Sequence, residues 1–482
     1  MRFKKTLLFI PLLSLVITGC DTSGPAPDSK EVDTTFYFIF GNNMDTKAHF
    51  SYKNDYFRVP ATTFNKDLAV MSFVAAANSG QKKEMKKFYK SIDFGDQYYT
   101  EVYDKGCGVD TYGFALASRE VDDFTLLSLS FRSYDYTLEW VSNVTLGENG
   151  NHAGFDYATD NALVEFNKVV SEKYAGKKLK LWVNGFSRGG AEANMFTTKL
   201  LNHNDFGFDQ TNVYCYTFEA PAGFNAENVR KDYKNIFNLA NSGDIVVNVP
   251  PEQYGLYRSG IDIDTLRDDF DKLYADYMHE LYPEPVLDEE TGEMVDKAQE
   301  YIDMIPAFEP YTGSKDKEKN YENESEFMDV MIQRILDTDD PNYGIQDRAN
   351  YVAHVQTAAQ FGMRLFYSID QFAMYYVIND FRNRFLDSYA HMLRLAGLVM
   401  QEDGLGLYEI AKTYLDFIEF EYSDEELKAT CKTLYKVVTE IGFNDVMSII
   451  NALPNIQRAL YFHWHESTFV LVRALEYNPA QE

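Results

Sequence analysis

Ser187 sits in Gly185-Phe186-Ser187-Arg188-Gly189, between the apolar run LKLWVN (179–184) and GGAEANMFTTKLLN (189–202). A serine hydroxyl becomes a nucleophile when a base takes its proton and its oxygen is held clear of the backbone. A GxSxG turn between a strand and a helix does the second job, because flanking glycines let the chain bend sharply and lift the hydroxyl above the sheet. The small residues Gly189, Gly190, Ala191 and Ala193 suit a helix that passes close to neighbouring backbone. The opening N–H groups of that helix, beginning with Arg188, offer donors and positive dipole to an oxyanion. The bare pentapeptide recurs by chance, so a structural glycine turn is the competing reading. A base and an acid are then needed from among the 8 histidines and the many carboxylates.

The elements around the serine alternate. Strand-type runs read as FYFIFG (36–41), TLLSLSF (125–131), LKLWVN (179–184), VYCYTFEA (213–220) and NIFNLAN (235–241). Ahead of the third, Leu163, Phe166, Val170 and Tyr174 recur at steps of three and four, with Gly176 placed to end a helix. Strand and helix in alternation predict a mostly parallel sheet covered on both faces. After Tyr257 nearly everything reads as helix, including FMDVMIQRIL, VQTAAQFGMRLFYSIDQFAMYYVINDFRNRF and LKATCKTLYKVVTEI. Within that region EPVLDEETGEMVDK and GSKDKEKNYENESE are charge-rich and read as exposed loops. Phe and Tyr in the helical region either line a groove or fill a core.

The chain has 482 residues, 45% of them hydrophobic, and a formal net charge of -29. So acidic a body repels polyanions and gains nothing from counterion release, which excludes nucleic acid as an expected partner. The N-terminus, MRFKKTLLFIPLLSLVITGC, has Arg2, Lys4 and Lys5 ahead of an apolar run too short to span a bilayer comfortably, the pattern of an export signal. Its end, Ile17-Thr18-Gly19-Cys20, resembles the bacterial lipobox, which implies lipidation of Cys20 and a membrane anchor facing outside the cytoplasm; a plain signal peptide is the alternative. Gly24, Pro25, Pro27 and Ser29 read as a flexible tether. The remaining Cys107, Cys215 and Cys431 are widely spaced, with no metal-ligand pairing; Cys215 reads as a buried apolar residue, and a bridge between the other two stays open.

Several segments in order resemble the class 3 (fungal-type) lipase family of α/β-hydrolases, and its bacterial relatives with a long helical insertion. They are LLSLSFRSYDYTLEWVSNVTLG (126–147), NHAGFDYATDNAL (151–163), VNGFSRGGAEANM, and the stretch from YTFEAPAG to NIFNLANSGDIVVNVPP (216–251). The resemblance implies an α/β-hydrolase fold, a mostly parallel sheet flanked by helices with a large helical insertion or cap. It divides the chain into a signal peptide (1–20), a tether (21–33), a core (34–260 and 455–482) and the insertion (261–454).

Carried over by motif, the resemblance makes Ser187 the nucleophile and Asp244 the acid, although Asp after Ser-Gly is also common turn chemistry. The family's order of nucleophile, acid and histidine excludes His49, His152 and His203 as the base. His152 then reads as a structural member of its His-x-Gly-Phe segment. His279, His354 and His391 fall in the helical region, while His463-Trp464-His465-Glu466 is similar to a C-terminal His-x-Pro-Glu segment of bacterial relatives. That registration favours His463, with His465 as the alternative. The oxyanion hole is implied at the N–H groups of Arg188 and Tyr134. In Arg132-Ser133-Tyr134, Ser133 stands where the family has Gly and Tyr134 where it has a hydroxyl residue. Loss of one oxyanion donor costs about 10²–10³ in turnover.

The function this implies is hydrolysis of carboxylic esters, lipid-like ones foremost, without metal or organic cofactor. The alternatives are an inactive lipase-like binding lipoprotein and a hydrolase of peptide or thioester bonds, since fold and triad do not fix substrate.

Overall fold

The computed structural model describes residues 27–37, 45–103, 112–132, 139–203, 205–287, 292–336, 345–368, 377, 379–440 and 443–477. The chain opens with β1 (Ser29–Tyr37) and β2 (Asp45–Lys53), an antiparallel pair separate from the main sheet. Two helices follow, α1 (Lys66–Asn78) and α2 (Lys82–Ser91). The main sheet then begins with β3 (Gly95–Tyr99), β4 (Phe114–Val121) and β5 (Phe124–Phe131). After α3 (Trp140–Asn143) and α4 (Ala153–Lys173) come β6 (Leu179–Phe186), α5 (Ser187–His203) and β7 (Val213–Phe218). A short pair, β8 (Phe224–Asn225) with β10 (Leu256–Tyr257), flanks β9 (Ile236–Ala240), and β11 (Ile261–Asp264) forms the sheet edge.

The seven-stranded sheet has the order β11-β9-β7-β6-β5-β4-β3. From β5 to β11 neighbours run parallel, and β3 and β4 continue the sheet antiparallel. Side chains alternate across it as strand geometry requires. On β6 and β7, Trp182, Tyr214, Tyr216 and Phe218 face the α1 side, while Leu181, Val183, Val213 and Cys215 face α4 and α5. Both faces are buried, which explains why these strands read as nearly continuous apolar runs.

The FYFIFG run contributes only its first residues to β1, outside the main sheet; residues 38–41 lie outside the described set. Ser29 is already in β1, so the segment read as a tether (21–33) is partly strand: Val32 and Phe36 alternate into the core once the Gly/Pro-rich composition ends. The sheet also runs past residue 260, because Ile263 on β11 is buried against the β9 side of the core.

Beyond β11, the described residues are mainly helical: α6 (Phe270–Leu281), α7 (Lys297–Met304), α8 (Glu324–Leu336), α9 (Arg348–His354), α10 (Gln356–Ser368) and helices over Tyr389–Val399, Leu405–Phe417, Asp424–Glu440, Phe443–Tyr461 and His465–Ala474. An exposed ribbon, Val286–Leu287 against Met294–Val295, interrupts them. Phe308, Tyr321 and Phe327 pack on one another as a small core.

This helical region grips the α/β core at a loop following α3. Arg348 on α9 donates to the carbonyls of Gly147 (2.6 Å), Gly150 (2.6 Å), Asn151 (2.7 Å) and Leu146. Tyr351 donates to the Val144 carbonyl at 2.9 Å, and Gln360 to Thr145 Oγ1 at 2.8 Å. No described helix is long and apolar enough to cross a membrane.

Candidate active site

β6 hands over directly to α5 at Ser187, whose φ of 53° lies in the left-handed region. A non-glycine residue rarely holds that conformation unless its surroundings enforce it. The enforcement comes from the flanking glycines. A Cβ on Gly185 would lie 2.0 Å from the Gly189 carbonyl oxygen, and one on Gly189 would lie 2.8 Å from that of Phe131. Any side chain at these positions would push α5 off β5 and β6.

Asp244 follows the end of β9 in a tight turn. Its N–H donates to the Asn241 carbonyl at 2.9 Å, and the Gly243 N–H donates to Asn241 Oδ1 at 2.9 Å. The Asp244 carboxylate is fully buried, with Oδ1 accepting from the Val246 N–H at 2.8 Å. The Ile245 N–H reaches the Ala459 carbonyl at 3.3 Å, tying this turn to the helix Phe443–Tyr461.

His463 occupies the turn between that helix and the helix His465–Ala474. Its own N–H donates to Leu460 and that of Trp464 to Tyr461, at 3.1 and 3.0 Å. The ring leans on Phe186 at 4.9 Å between centroids. His463 Nδ1 lies 2.6 Å from Asp244 Oδ2, and Nε2 lies 2.9 Å from Ser187 Oγ. An ionised carboxylate only accepts, so Nδ1 carries a proton toward Asp244. In the neutral ring that leaves Nε2 as an acceptor for the Ser187 hydroxyl. Serine, histidine and aspartate come from chain positions 187, 463 and 244, and both links in the chain are within hydrogen-bond reach.

His465, the alternative, takes no part in that chain. Its ring is fully buried and packs edge-on against Phe186 at 4.5 Å, with Phe73 and Phe36 at 6.0 and 6.1 Å. His152 is also buried: it stacks on Phe155 at 3.9 Å and its Nε2–H donates to the Asn143 carbonyl at 3.2 Å. Burial lowers its pKa to about 3, so it is a neutral packing residue.

Around the start of α5 lies a buried set of charges. Arg188 donates to Asn143 Oδ1 at 3.0 Å and to Ser142, and pairs with Glu192 at 2.9 Å. Burial raises the Glu192 pKa to about 7, against the opposing pull of Arg188. Arg132 donates to the Tyr103 carbonyl at 2.6 Å and pairs with Glu139. These contacts fix Arg132, the last described residue before Ser133 and Tyr134; those two and the lipidation candidate Cys20 lie outside the described residues. Cys215 and Cys431 are buried free thiols, with Cys215 pushed up to about 12 by burial, and Cys107 is outside the described set. Among the described residues no cluster of three or more His, Cys, Asp or Glu could hold a metal ion.

Glu219 is the site neighbour that sequence reasoning missed. It directly follows β7, is fully buried, and shares the Asn241 turn with Asp244. Its only signal in the sequence is a carboxylate between Phe218 and Ala220, where the strand is otherwise apolar.

Residues 122–254 match the class 3 lipase family. The core has the α/β-hydrolase fold, and this segment of it is similar to class 3 lipases. The matched segment contains Ser187 and Asp244 and ends long before His463. Among solved structures, a triacylglyceride lipase from Rhizomucor miehei is 19% identical, over 42% of this chain and 80% of that one, at a TM-score of 0.32. Lip2 lipase from Yarrowia lipolytica is 18% identical, over 48% and 83%, at 0.30. Lipase II from Rhizopus niveus is 16% identical, over 41% and 78%, at 0.32. No curated protein matches the chain.

Proposed function

We infer that this protein is a serine hydrolase of carboxylic esters, acting on lipid-like substrates from a membrane tether. The observation that carries the reading is the unbroken chain Asp244–His463–Ser187, at 2.6 and 2.9 Å, ending on a serine held at the strand-to-helix junction. In this reading Ser187 Oγ attacks the acyl carbon while its proton passes to His463 Nε2. Asp244 keeps the proton on Nδ1 and balances the imidazolium that forms. The carbonyl electrons move to oxygen, and the N–H of Arg188 at the start of α5 stabilises the oxyanion together with that of Tyr134. Collapse breaks the ester C–O bond, and His463 returns its proton to the departing alcohol. A water, deprotonated by the same nitrogen, then releases the acid and restores Ser187. Apart from that water, this cycle uses only side chains and backbone of the chain.

The lipid-like substrate class rests on the family match over 122–254, and the anchor on the lipobox resemblance at Cys20. The helices between β11 and residue 454 act in this reading as an inserted cap, docked on the core through Arg348 and the 144–151 loop. The test is hydrolysis of p-nitrophenyl esters from short to long acyl chains by residues 27–482, with Ser187→Ala alongside. Release that disappears in Ser187→Ala is expected, and its chain-length profile defines the acyl site. Release that persists in that variant, or none from folded protein, defeats the reading.

A further inference from the structure

Glu219 presents a problem in charge and hydrogen bonding. It is fully buried, and its backbone sits at φ 46°, in the left-handed region that favours glycine. Its N–H donates to the Leu239 carbonyl at 3.0 Å, and its Oε2 accepts from the Asn241 N–H at 2.8 Å, so it is clamped onto the turn that delivers Asp244. Its other oxygen, Oε1, is buried without a donor. The side chain lies on the same turn as that of Asp244, whose charge acts on it. Asp244 has both oxygens engaged already, Oδ1 by the Val246 N–H and Oδ2 by His463.

Two buried carboxylates that act on each other cannot both be ionised without a large penalty, and an orphan carboxylate oxygen adds its own desolvation cost. One proton removes both difficulties, because a carboxylic acid donates where a carboxylate only accepts. Asp244 faces the imidazole, with Oδ2 2.6 Å from His463 Nδ1. Besides the Asn241 N–H, the groups that act on Glu219 are carboxylates, Asp244 and, at the end of β11, Asp264. The proton therefore belongs on Glu219. Burial, reinforced by Asp244, pushes its carboxyl well above the usual carboxylate range.

We propose that Glu219 is a positioning residue whose carboxyl donates a hydrogen bond to the Asp244 carboxylate, holding it in register with His463. Resting on the triad reading above, it adds a fourth member behind the acid. The strained backbone at 219 is then explained by what the side chain does, since a glycine would meet the same φ without cost. The oriented Asp244 keeps the His463 ring in the tautomer that can accept the Ser187 proton.

The test compares Glu219→Gly and Glu219→Gln, each with the rate of Ser187 labelling by a fluorophosphonate and the pH profile of kcat/KM for a p-nitrophenyl ester. Glu219→Gly relieves the backbone and removes the donor; kcat is expected to fall at least about tenfold with KM within about threefold, the mark of a group that acts in the transition state. Glu219→Gln supplies an acceptor for Asn241 and a donor for Asp244 and is expected to recover most of that loss. If Glu219 is protonated, the Gln variant carries no change of charge, and the acid limb of its profile stays where it is in the wild type. If Glu219 is ionised, removing a negative charge beside Asp244 lowers the apparent pKa of His463 and moves that limb to lower pH by about a unit. That shift, or a Glu219→Gly protein with wild-type kcat, overturns the proposal. Ser187→Ala separates the failures: turnover or labelling that survives it sinks the triad reading, whereas Ser187-dependent turnover indifferent to Glu219 sinks this proposal alone.

Discussion

Replacing Asp244 by Asn changes one atom in a buried carboxylate, and the surrounding donors dictate the consequence. Oδ1 accepts from the Val246 N–H at 2.8 Å, so the carboxamide must keep its oxygen there; turning the NH2 toward Val246 would oppose two donors in a buried site. The NH2 then occupies the place of Oδ2, 2.6 Å from His463 Nδ1. A donor at that point requires Nδ1 to be an acceptor, which moves the ring proton to Nε2. Nε2 is the nitrogen 2.9 Å from Ser187 Oγ, and once protonated it has no lone pair for the serine proton. The same tautomer error in a serine protease lowers kcat by about 10⁴, equivalent to about 5 kcal/mol of transition-state stabilisation. Asp244→Asn is therefore expected to lose about 10³–10⁴ in kcat with little change in KM or in thermal stability. Stopped-flow or steady-state ester hydrolysis measures the first, and a thermal melt the second. A variant that keeps activity within about tenfold would refute the tautomer argument and remove Asp244 from the site.

The paired histidines separate chemistry from packing. His463→Ala should abolish ester turnover while leaving the melt near wild type; His465→Ala empties a site among Phe36, Phe73 and Phe186 and should lower the melting temperature while Ser187 still labels with a fluorophosphonate. The pH dependence of stability carries a signature of His152. Its folded pKa is depressed to about 3, so the unfolded chain binds a proton that the folded chain refuses; stability is full above the unfolded value near 6.5 and is lost as pH falls toward 3. The loss approaches about 1.4 kcal/mol per pH unit below that value, and His152→Gln, which keeps a donor for Asn143, should flatten this slope in urea titrations between pH 7 and 5. Arg348→Ala strips the donors from the 146–151 carbonyls and should speed proteolytic cleavage within 345–440 without unfolding the α/β core; unchanged cleavage would show that the helices are held by other contacts.

Sequence periodicity exposes elements that face both core and solvent, and it hides the rest. The helix α4 showed itself because Leu163, Phe166 and Val170 form one buried stripe. By contrast α1 is buried from Leu68 to Asn78, so no polar face marks it as a helix, and the N-terminal third of the sheet remained unread. The elbow at Ser187 was legible because glycines and small residues mark a close approach wherever it occurs. His463 and His465 share a residue type and lie two positions apart, and only the turn between two helices decides which reaches Asp244. Glu219 was invisible for a further reason: its role depends on a left-handed backbone and on a carboxylate from the next strand's end, neither of which a local pattern records.

The most direct measurement of the central claim is peptide mass spectrometry of the protein after reaction with a fluorophosphonate, run on wild type, His463→Ala and protein unfolded in urea. The account predicts a stoichiometric adduct on Ser187 in the folded wild type and on neither of the others. An unlabelled Ser187 in folded wild type, or an adduct formed equally without His463, would contradict it.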